Sequence, residues 1–114
     1  MTTTTPPSRR LKLGIIALTL ATATVHLYLG FQGLPLFVLN GLGYLTLLAA
    51  LYLPVPQIIP YRNAIRWVLV GYTALTMGLW LVITGGAGNA TGYIDKVVEL
   101  LLIVLLVAES RASR

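Results

Sequence analysis

The stretch LGIIALTLATATVHLYLGF, residues 13–31, decides the fold class of this protein. It carries no charged side chain, and a helix of roughly 20 apolar residues crosses a hydrocarbon core about 30 Å thick. The rest of the chain has the same character, since 57% of its 114 residues are hydrophobic and only 10% are charged. A soluble domain carries roughly 25% charged residues. The sequence therefore predicts an integral membrane protein with most of its chain in lipid.

Three further apolar runs follow the first. The predicted spans are residues 13–31, 34–53, 65–84 and 91–108, which form one transmembrane domain over residues 13–108, with tails at residues 1–12 and 109–114. The second and third spans are separated by PVPQIIPYRN, whose prolines oppose regular structure. Only Gln32 and Gly33 join the first two spans, so those helices should be antiparallel neighbours. We predict an all-α protein with four transmembrane helices in an antiparallel up-down bundle.

The distribution of basic residues predicts the orientation of these helices. Of the eight lysines and arginines, all but Lys96 fall on one side of the predicted membrane: Arg9, Arg10, Lys12, Arg62, Arg66, Arg111 and Arg114. Short loops rich in lysine and arginine remain in the cytoplasm. We predict a multi-pass protein of the cell membrane with both termini cytoplasmic. A cleaved signal peptide is disfavoured, because the first apolar run continues past Ala23 to Phe31.

Polar side chains of the four predicted spans fall at a similar depth in the outer half of the membrane. At a rise of about 1.5 Å per residue, His26, Asn40 and Glu99 each lie about 7 to 9 Å below the outer ends of their helices. Thr76 of the third span lies somewhat deeper. The sequence therefore predicts that His26, Asn40 and Glu99 converge on one interior region.

The last span begins with three charged residues, Asp95, Lys96 and Glu99. Lys96 can reach Glu99 three residues later, and Asp95 benefits from the positive end of the helix dipole. A lone ionised carboxylate at the depth of Glu99 would be costly, so Glu99 must be paired, hydrogen-bonded or protonated. His26, Asn40, Asp95, Lys96 and Glu99 are the candidate polar network. The network is either structural or a proton or ligand site, and the sequence leaves both alternatives open.

Several classes of site find no support in the composition. Cysteine is absent, which excludes disulfides, thiolate metal sites and cysteine nucleophiles. The single histidine offers one axial ligand to a haem or pigment, and its spacing from Asp95 and Glu99 matches no known metal motif. No phosphate-binding glycine loop or activated serine is present. We expect no catalytic residue, no metal, no cofactor, no enzymatic activity and no nucleic-acid partner.

Small residues predict where the helices pack closely, because association in lipid depends on close backbone approach. The predicted contact faces contain Gly14, Ala17 and Ala21 on the first helix, Gly41 and Gly43 on the second, and Gly71, Ala74 and Gly78 on the third. Residues 100–107 of the fourth helix contain only Leu, Ile and Val. That surface should face lipid or a partner's helix.

Two resemblances bear on these expectations. The chain is similar in size and span number to small multidrug resistance transporters, which work as dimers. The essential carboxylate of that family lies in its first helix, and residues 13–31 here contain no acidic residue, so its mechanism does not carry over. The chain more closely resembles small four-helix membrane proteins of unassigned function in archaea and bacteria. The shared patterns are HLxLG at residues 26–30, NGLGY at 40–44 and IDKxxELxLIVLL at 94–106, and they imply topology rather than activity.

Two functions of different classes follow as hypotheses. The first is an accessory or structural subunit of a larger membrane complex, with lipid, other membrane subunits or further copies of the chain as partners. The second is a small oligomeric carrier coupled to protons or cations, in which Glu99 titrates and His26 assists. The first is preferred at this stage because the polar layer lies toward one face, whereas carriers place polar groups near the midplane.

Overall fold

The computed structural model describes residues 7–33, 35–88 and 90–112, and within these ranges the chain is helical with no β-strand. Four α-helices are present: α1 (Pro7–Phe31), α2 (Pro35–Tyr52), α3 (Arg62–Thr84) and α4 (Ala90–Ala112). A 3₁₀ turn (Ile59–Tyr61) precedes α3. The predicted all-α class and the number of helices are confirmed.

The helices are longer than the predicted spans at their polar ends. α1 begins at Pro7 and α4 continues to Ala112, so parts of both predicted tails are helical. Proline is favourable in the first turn of a helix, where its missing N–H has no partner to lose. The remainder of the tails, residues 1–6 and 113–114, lies outside the described residues. α3 ends at Thr84, and the next residue, Gly85, has a φ of 63° and donates its N–H to Leu81 O as a C-terminal cap.

Three segments are long and apolar enough to cross a membrane: Arg9–Phe31, Pro35–Tyr52 and Ile59–Thr84. α4 has 23 residues, as many as α3, but it carries Asp95, Lys96 and Glu99 in its hydrophobic part. By length and composition alone, the described chain therefore has three candidate membrane spans. The predicted fourth span depends on where the charged side chains of α4 point.

The core lies along one face of α4. Five of its six buried positions are spaced alternately four and three residues apart: Asp95, Glu99, Leu102, Leu106 and Glu109. This is the spacing that keeps one helix face against its neighbours in a bundle. The two leucines pack with Ile15, Tyr44, Leu51 and Leu69 in the apolar centre of the core. The three carboxylates of the chain are thus buried on the same face, at the two ends of an apolar segment.

The prediction that small residues mark close helix contacts is confirmed at some positions and wrong at others. A Cβ added at Gly41 would lie 3.0 Å from Ala23 O of α1, and one at Gly14 would lie 2.8 Å from Leu105 Cδ1 of α4. Ala17 and Ala21 of α1 are exposed, and so are Gly71, Ala74 and Gly78 of α3. The small residues of α3 are exposed because a more polar face of the helix is turned inward. Its buried residues are Arg66, Leu69, Thr73 and Thr76.

Candidate functional site

Four titratable side chains meet between α1 and α4, and we call His26, Asp95, Lys96 and Glu99 the ionisable cluster. Asp95 is 3% exposed and Glu99 is completely buried. Lys96 Nζ lies 3.4 Å from Asp95 Oδ2 and donates a hydrogen bond to Glu99 Oε1. One ammonium group therefore bridges both carboxylates. This relieves the repulsion between two acidic side chains one helical turn apart.

Asp95 is held from α1 as well. Thr22 Oγ1 donates a hydrogen bond of 2.7 Å to Asp95 Oδ1, and His26 Nε2 lies 3.8 Å from Asp95 Oδ2. His26 Nδ1 lies 2.7 Å from Thr22 O. Because a carbonyl oxygen only accepts, Nδ1 must carry a proton. In the neutral ring the lone pair is then on Nε2, the atom that faces Asp95.

Glu99 is bound by Tyr44 and Lys96 rather than by His26 or Asn40. Tyr44 Oη donates a hydrogen bond of 2.5 Å to Glu99 Oε2. Tyr44 is itself fully buried, and its ring packs edge-on against Tyr72 with 4.9 Å between ring centroids. No second protein is needed to satisfy this carboxylate. The sequence contained a signal for Tyr44, because it lies one turn after Asn40 and so shares a helix face with it.

Asn40 lies beside the ionisable cluster but bonds to α3. Its Nδ2 donates to Thr76 Oγ1 at 3.2 Å, and its backbone carbonyl accepts a hydrogen bond from Tyr72 Oη at 2.7 Å. Its Oδ1 is buried and accepts no hydrogen bond from the part of the chain that the structure describes. An unsatisfied buried acceptor is uncommon and calls for an explanation such as a bound donor.

A cavity of about 360 Å³ opens onto Asn40 and onto three members of the ionisable cluster, His26, Asp95 and Lys96. Its polar lining comes from His26, Asn40, Thr76, Thr84, Asp95 and Lys96. Apolar and aromatic side chains form the remaining walls, among them Phe37 and Trp80. Lys96 Nζ lies 5.6 Å from the Trp80 ring, which shows that a cation is already accommodated against this wall. An apolar cavity with a few convergent polar groups is the usual form of a small-molecule site.

Comparison with known proteins adds no functional assignment. No family model, curated protein or solved structure matches this chain. The function must therefore be argued from the geometry of the site.

Charge balance is the most informative property of the ionisable cluster. It contains two carboxylates and one ammonium group, so with a neutral His26 it has one negative charge in excess. In a low-dielectric interior such an excess is costly unless a proton or another cation neutralises it. One further positive charge within the cluster or in the cavity beside it would balance this excess.

A metal ion is a possible occupant by ligand type. One ligand atom each from His26, Asp95 and Glu99 lie within 4.8 Å of one another. No metal motif is apparent from the spacing of these residues, because His26 belongs to a different helix from the two carboxylates. Lys96 contacts both carboxylates, so a metal ion would have to displace its ammonium group. The expectation that the site holds no metal therefore remains a prediction.

A second polar group at the other end of the bundle was not predicted. Arg66 Nε donates to Glu109 Oε1 at 2.8 Å, and Tyr52 Oη lies 2.8 and 2.9 Å from the two carboxylate oxygens. Arg66 Nη1 also donates to Asn63 Oδ1 at 2.8 Å. The sequence predicts Glu109 in the C-terminal tail and counts Arg66 only among the basic residues on the cytoplasmic side. Glu109 could have been predicted as buried, because it continues the alternating spacing of four and three residues that begins with Asp95 and Glu99.

Proposed function

We propose that this protein is a four-span membrane protein of the cell membrane with an antiparallel up-down bundle and cytoplasmic termini. The order of the contacts supports this arrangement. Gly30 lies near Val38 and Ala23 near Gly41, so α1 and α2 approach each other in opposite directions along the chain. Arg66 meets Glu109, and Trp80 meets Tyr93, in the same way. The charged groups at the start of α4 face the interior, which leaves apolar side chains for the lipid.

The resemblance to small four-helix membrane proteins supports the same topology. The three quoted patterns all contribute to the observed site: His26, Asn40, Tyr44, Asp95, Lys96 and Glu99 belong to them. The positive-inside tendency then places the end of the bundle with Arg9, Arg62 and Arg111 in the cytoplasm. The ionisable cluster consequently lies in the outer half.

Within this topology, the proposed activity is exchange of a small organic cation for a proton. The observation that carries it is the uncompensated negative charge of the ionisable cluster beside a 360 Å³ cavity. Without substrate, a proton on His26 or Glu99 neutralises the excess. When a cation enters, its charge takes over that role and the proton leaves through the cavity. The apolar walls and Trp80 favour a cation that carries hydrophobic groups.

The test uses the purified full chain with benzyltrimethylammonium as the probe. Calorimetric titrations in two buffers of different ionisation enthalpy report how many protons are released per bound cation. We expect about one proton per cation for the wild type, with binding lost in Glu99→Gln and Asp95→Asn. The control is Leu100→Ala, which changes an exposed side chain next to Glu99. Circular dichroism establishes that each variant is folded.

Transport is measured separately in reconstituted vesicles that contain a pH-sensitive dye. A gradient of the probe should change the internal pH with the wild type but not with Glu99→Gln. Binding without any pH change in the vesicles would exclude a carrier and retain a binding protein. Absence of binding at every pH between about 5 and 9, a window that contains the reference pKa of histidine, about 6.5, would overturn the proposal.

An accessory subunit of a larger membrane complex is the second candidate. Two observations favour it: the ionisable cluster would lie in the outer half, whereas carriers place polar groups near the midplane, and α4 has an exposed aliphatic face formed by Val97, Leu100, Leu101 and Val104. Such a face fits either lipid or the helix of a partner. Purification in mild detergent distinguishes the two functions, because a subunit should bring other membrane chains with it in fixed proportion. A chain that purifies alone and retains its cation binding supports the carrier.

A further inference from the structure

The end of the bundle opposite the ionisable cluster contains a second cavity, of about 600 Å³. Four of its lining residues are basic, Arg9, Lys12, Arg62 and Arg66, whereas Glu109 is its only acidic lining residue. The basic residues come from the first two turns of α1 and of α3, which are far apart in sequence. The fold thus gathers them around one concave surface.

Only one of these positive charges is neutralised by the described residues that line the cavity. Arg66 is paired with Glu109 at 2.8 Å. Arg62 Nε donates to Leu51 O at 2.7 Å, a bond to a neutral carbonyl that orients the guanidinium group without cancelling its charge. Lys12 Nζ lies 5.2 Å from the centre of the Tyr52 ring. Arg9, Lys12 and Arg62 therefore leave a positive excess.

Three of the four basic residues that line the cavity are arginines: Arg9, Arg62 and Arg66. Arginine side chains present several N–H donors in a planar fork that matches phosphate oxygens. The shape, charge and donors of the cavity therefore fit a phosphate group.

Basic residues that serve only to orient a protein in the membrane need not line one cavity. Arg10 and Arg111 lie at the same end of the chain's helices, yet both are exposed and neither lines the cavity. They have the same charge as Arg9 and Lys12 but a different location. The comparison between the two pairs separates a built site from general attraction to anionic lipid.

We infer that this cavity binds the phosphate group of an anionic ligand, either the headgroup of a membrane lipid or a soluble phosphate. Basic cavities between transmembrane helices on the cytoplasmic side are suited to anionic headgroups. Leu13, which is 55% exposed, lines the same cavity and could contact the start of an acyl chain. The site is independent of the proposed cation exchange, since it shares no residue with the ionisable cluster.

The experiment measures ligand retention by the full chain in mild detergent with native mass spectrometry. Three probes are compared: phosphatidylglycerol, phosphatidylcholine and inorganic phosphate. The double variant Arg9→Gln, Lys12→Gln is compared with the control Arg10→Gln, Arg111→Gln, which removes the same charge from exposed positions. Arg9 and Lys12 are exposed, so their replacement should leave the fold intact.

We expect the wild type to retain phosphatidylglycerol over phosphatidylcholine, and the Arg9, Lys12 variant to lose about tenfold or more in affinity while the control pair loses much less. Binding of inorganic phosphate with the same dependence on Arg9 and Lys12 would instead assign the site to a soluble phosphate. Equal losses in the two double variants would overturn the proposal, and so would the absence of binding by both anionic probes.

Discussion

Tyr44 of α2 donates a hydrogen bond to Glu99 of α4 across the centre of the helix bundle, with 2.5 Å between Tyr44 Oη and Glu99 Oε2. Both residues are completely buried. The bond links the apolar core to the ionisable cluster, because Tyr44 also belongs to the hydrophobic cluster around Leu102 and Leu106. The position of α2 therefore affects the charge state that Glu99 can adopt.

Replacing Tyr44 by phenylalanine should destabilise the protein. The ring still fills its space, but the Glu99 carboxylate loses a donor, and such a bond contributes about 1 to 2 kcal/mol. Thermal unfolding in mild detergent measures the change. Tyr28→Phe is the matched control, because Tyr28 is 62% exposed and should lose nothing. Equal stabilities of the two variants would show that the bond between Tyr44 and Glu99 does not contribute.

The ion pair between Arg66 and Glu109 should show strong coupling in a double-mutant cycle. Arg66→Met or Glu109→Leu alone removes the opposite charge of a buried ion pair, which costs about 3 to 5 kcal/mol. The double variant removes both charges and should be more stable than the sum of the two losses predicts. Unfolding midpoints of the four proteins give the coupling. Additive losses would mean that the pair is screened by solvent.

Glycine substitutions should have opposite outcomes on α1 and α3. In Gly30→Ala the new Cβ would lie 2.7 Å from Val38 N, a backbone atom that cannot move without shifting α2, so stability should fall. In Gly78→Ala nothing lies within 4 Å of the new Cβ. Alanine is favoured over glycine in a helix by about 1 kcal/mol, so stability should rise or stay unchanged. A large loss with Gly78→Ala would instead indicate a partner at this face.

Replacing Lys96 by methionine should strengthen cation binding. The change removes the only ammonium group of the ionisable cluster and leaves its excess charge one unit more negative. Affinity for benzyltrimethylammonium should increase about tenfold, the size of effect expected for one charge at short range in a partly screened site. Calorimetric titration measures it, with Lys12→Met as the control at the other end of the chain. Weaker binding by Lys96→Met would argue against the charge-balance mechanism.

The topology can be tested with single cysteines, because the natural chain contains none. Gln32, Gln57, Ala87 and Ala112 are exposed positions in the connections and at the last helix end. A membrane-impermeant maleimide added to intact cells should label Gln32→Cys and Ala87→Cys but not Gln57→Cys or Ala112→Cys. If α4 lay along the surface instead of crossing, Ala112→Cys would be labelled together with Ala87→Cys.

Much of the helical architecture could be predicted from hydropathy, because long apolar runs have few alternatives to helix. The ends of the helices were less predictable. Residues from Arg9 to Lys12 continue α1, since nothing in that segment stops a helix once Pro7 has started it. The inward face of α3 was also not apparent. Its glycines indicated a contact face, but its buried residues include Arg66 and Thr76, which bond to Glu109 of α4 and Asn40 of α2.

Four of the five predicted site residues lie together, but the hydrogen-bond partners of Glu99 and Asn40 differ from those expected. His26, Asp95, Lys96 and Glu99 do meet, because similar depth in a bundle brings side chains together. Which atoms pair depends on helix rotation, which hydropathy does not determine within one turn. Tyr44 therefore took the place expected for Asn40. Glu109 was missed because a carboxylate close to a chain terminus is ordinarily solvated, and only the packing of Arg66 and Tyr52 reveals otherwise.

The burial of all three carboxylates on one face of α4 has a consequence for the biogenesis of the protein. In the four-span topology, α4 must enter the hydrocarbon with Asp95 and Glu99 in the same helix. Their partners Thr22 and Tyr44 belong to helices that are synthesised earlier. Because synthesis proceeds from the N-terminus, α1 and α2 with Thr22 and Tyr44 are made before α4 leaves the ribosome. A version of the chain that began with α4 would insert its most polar helix with no acceptor bundle present, and its integration should fail.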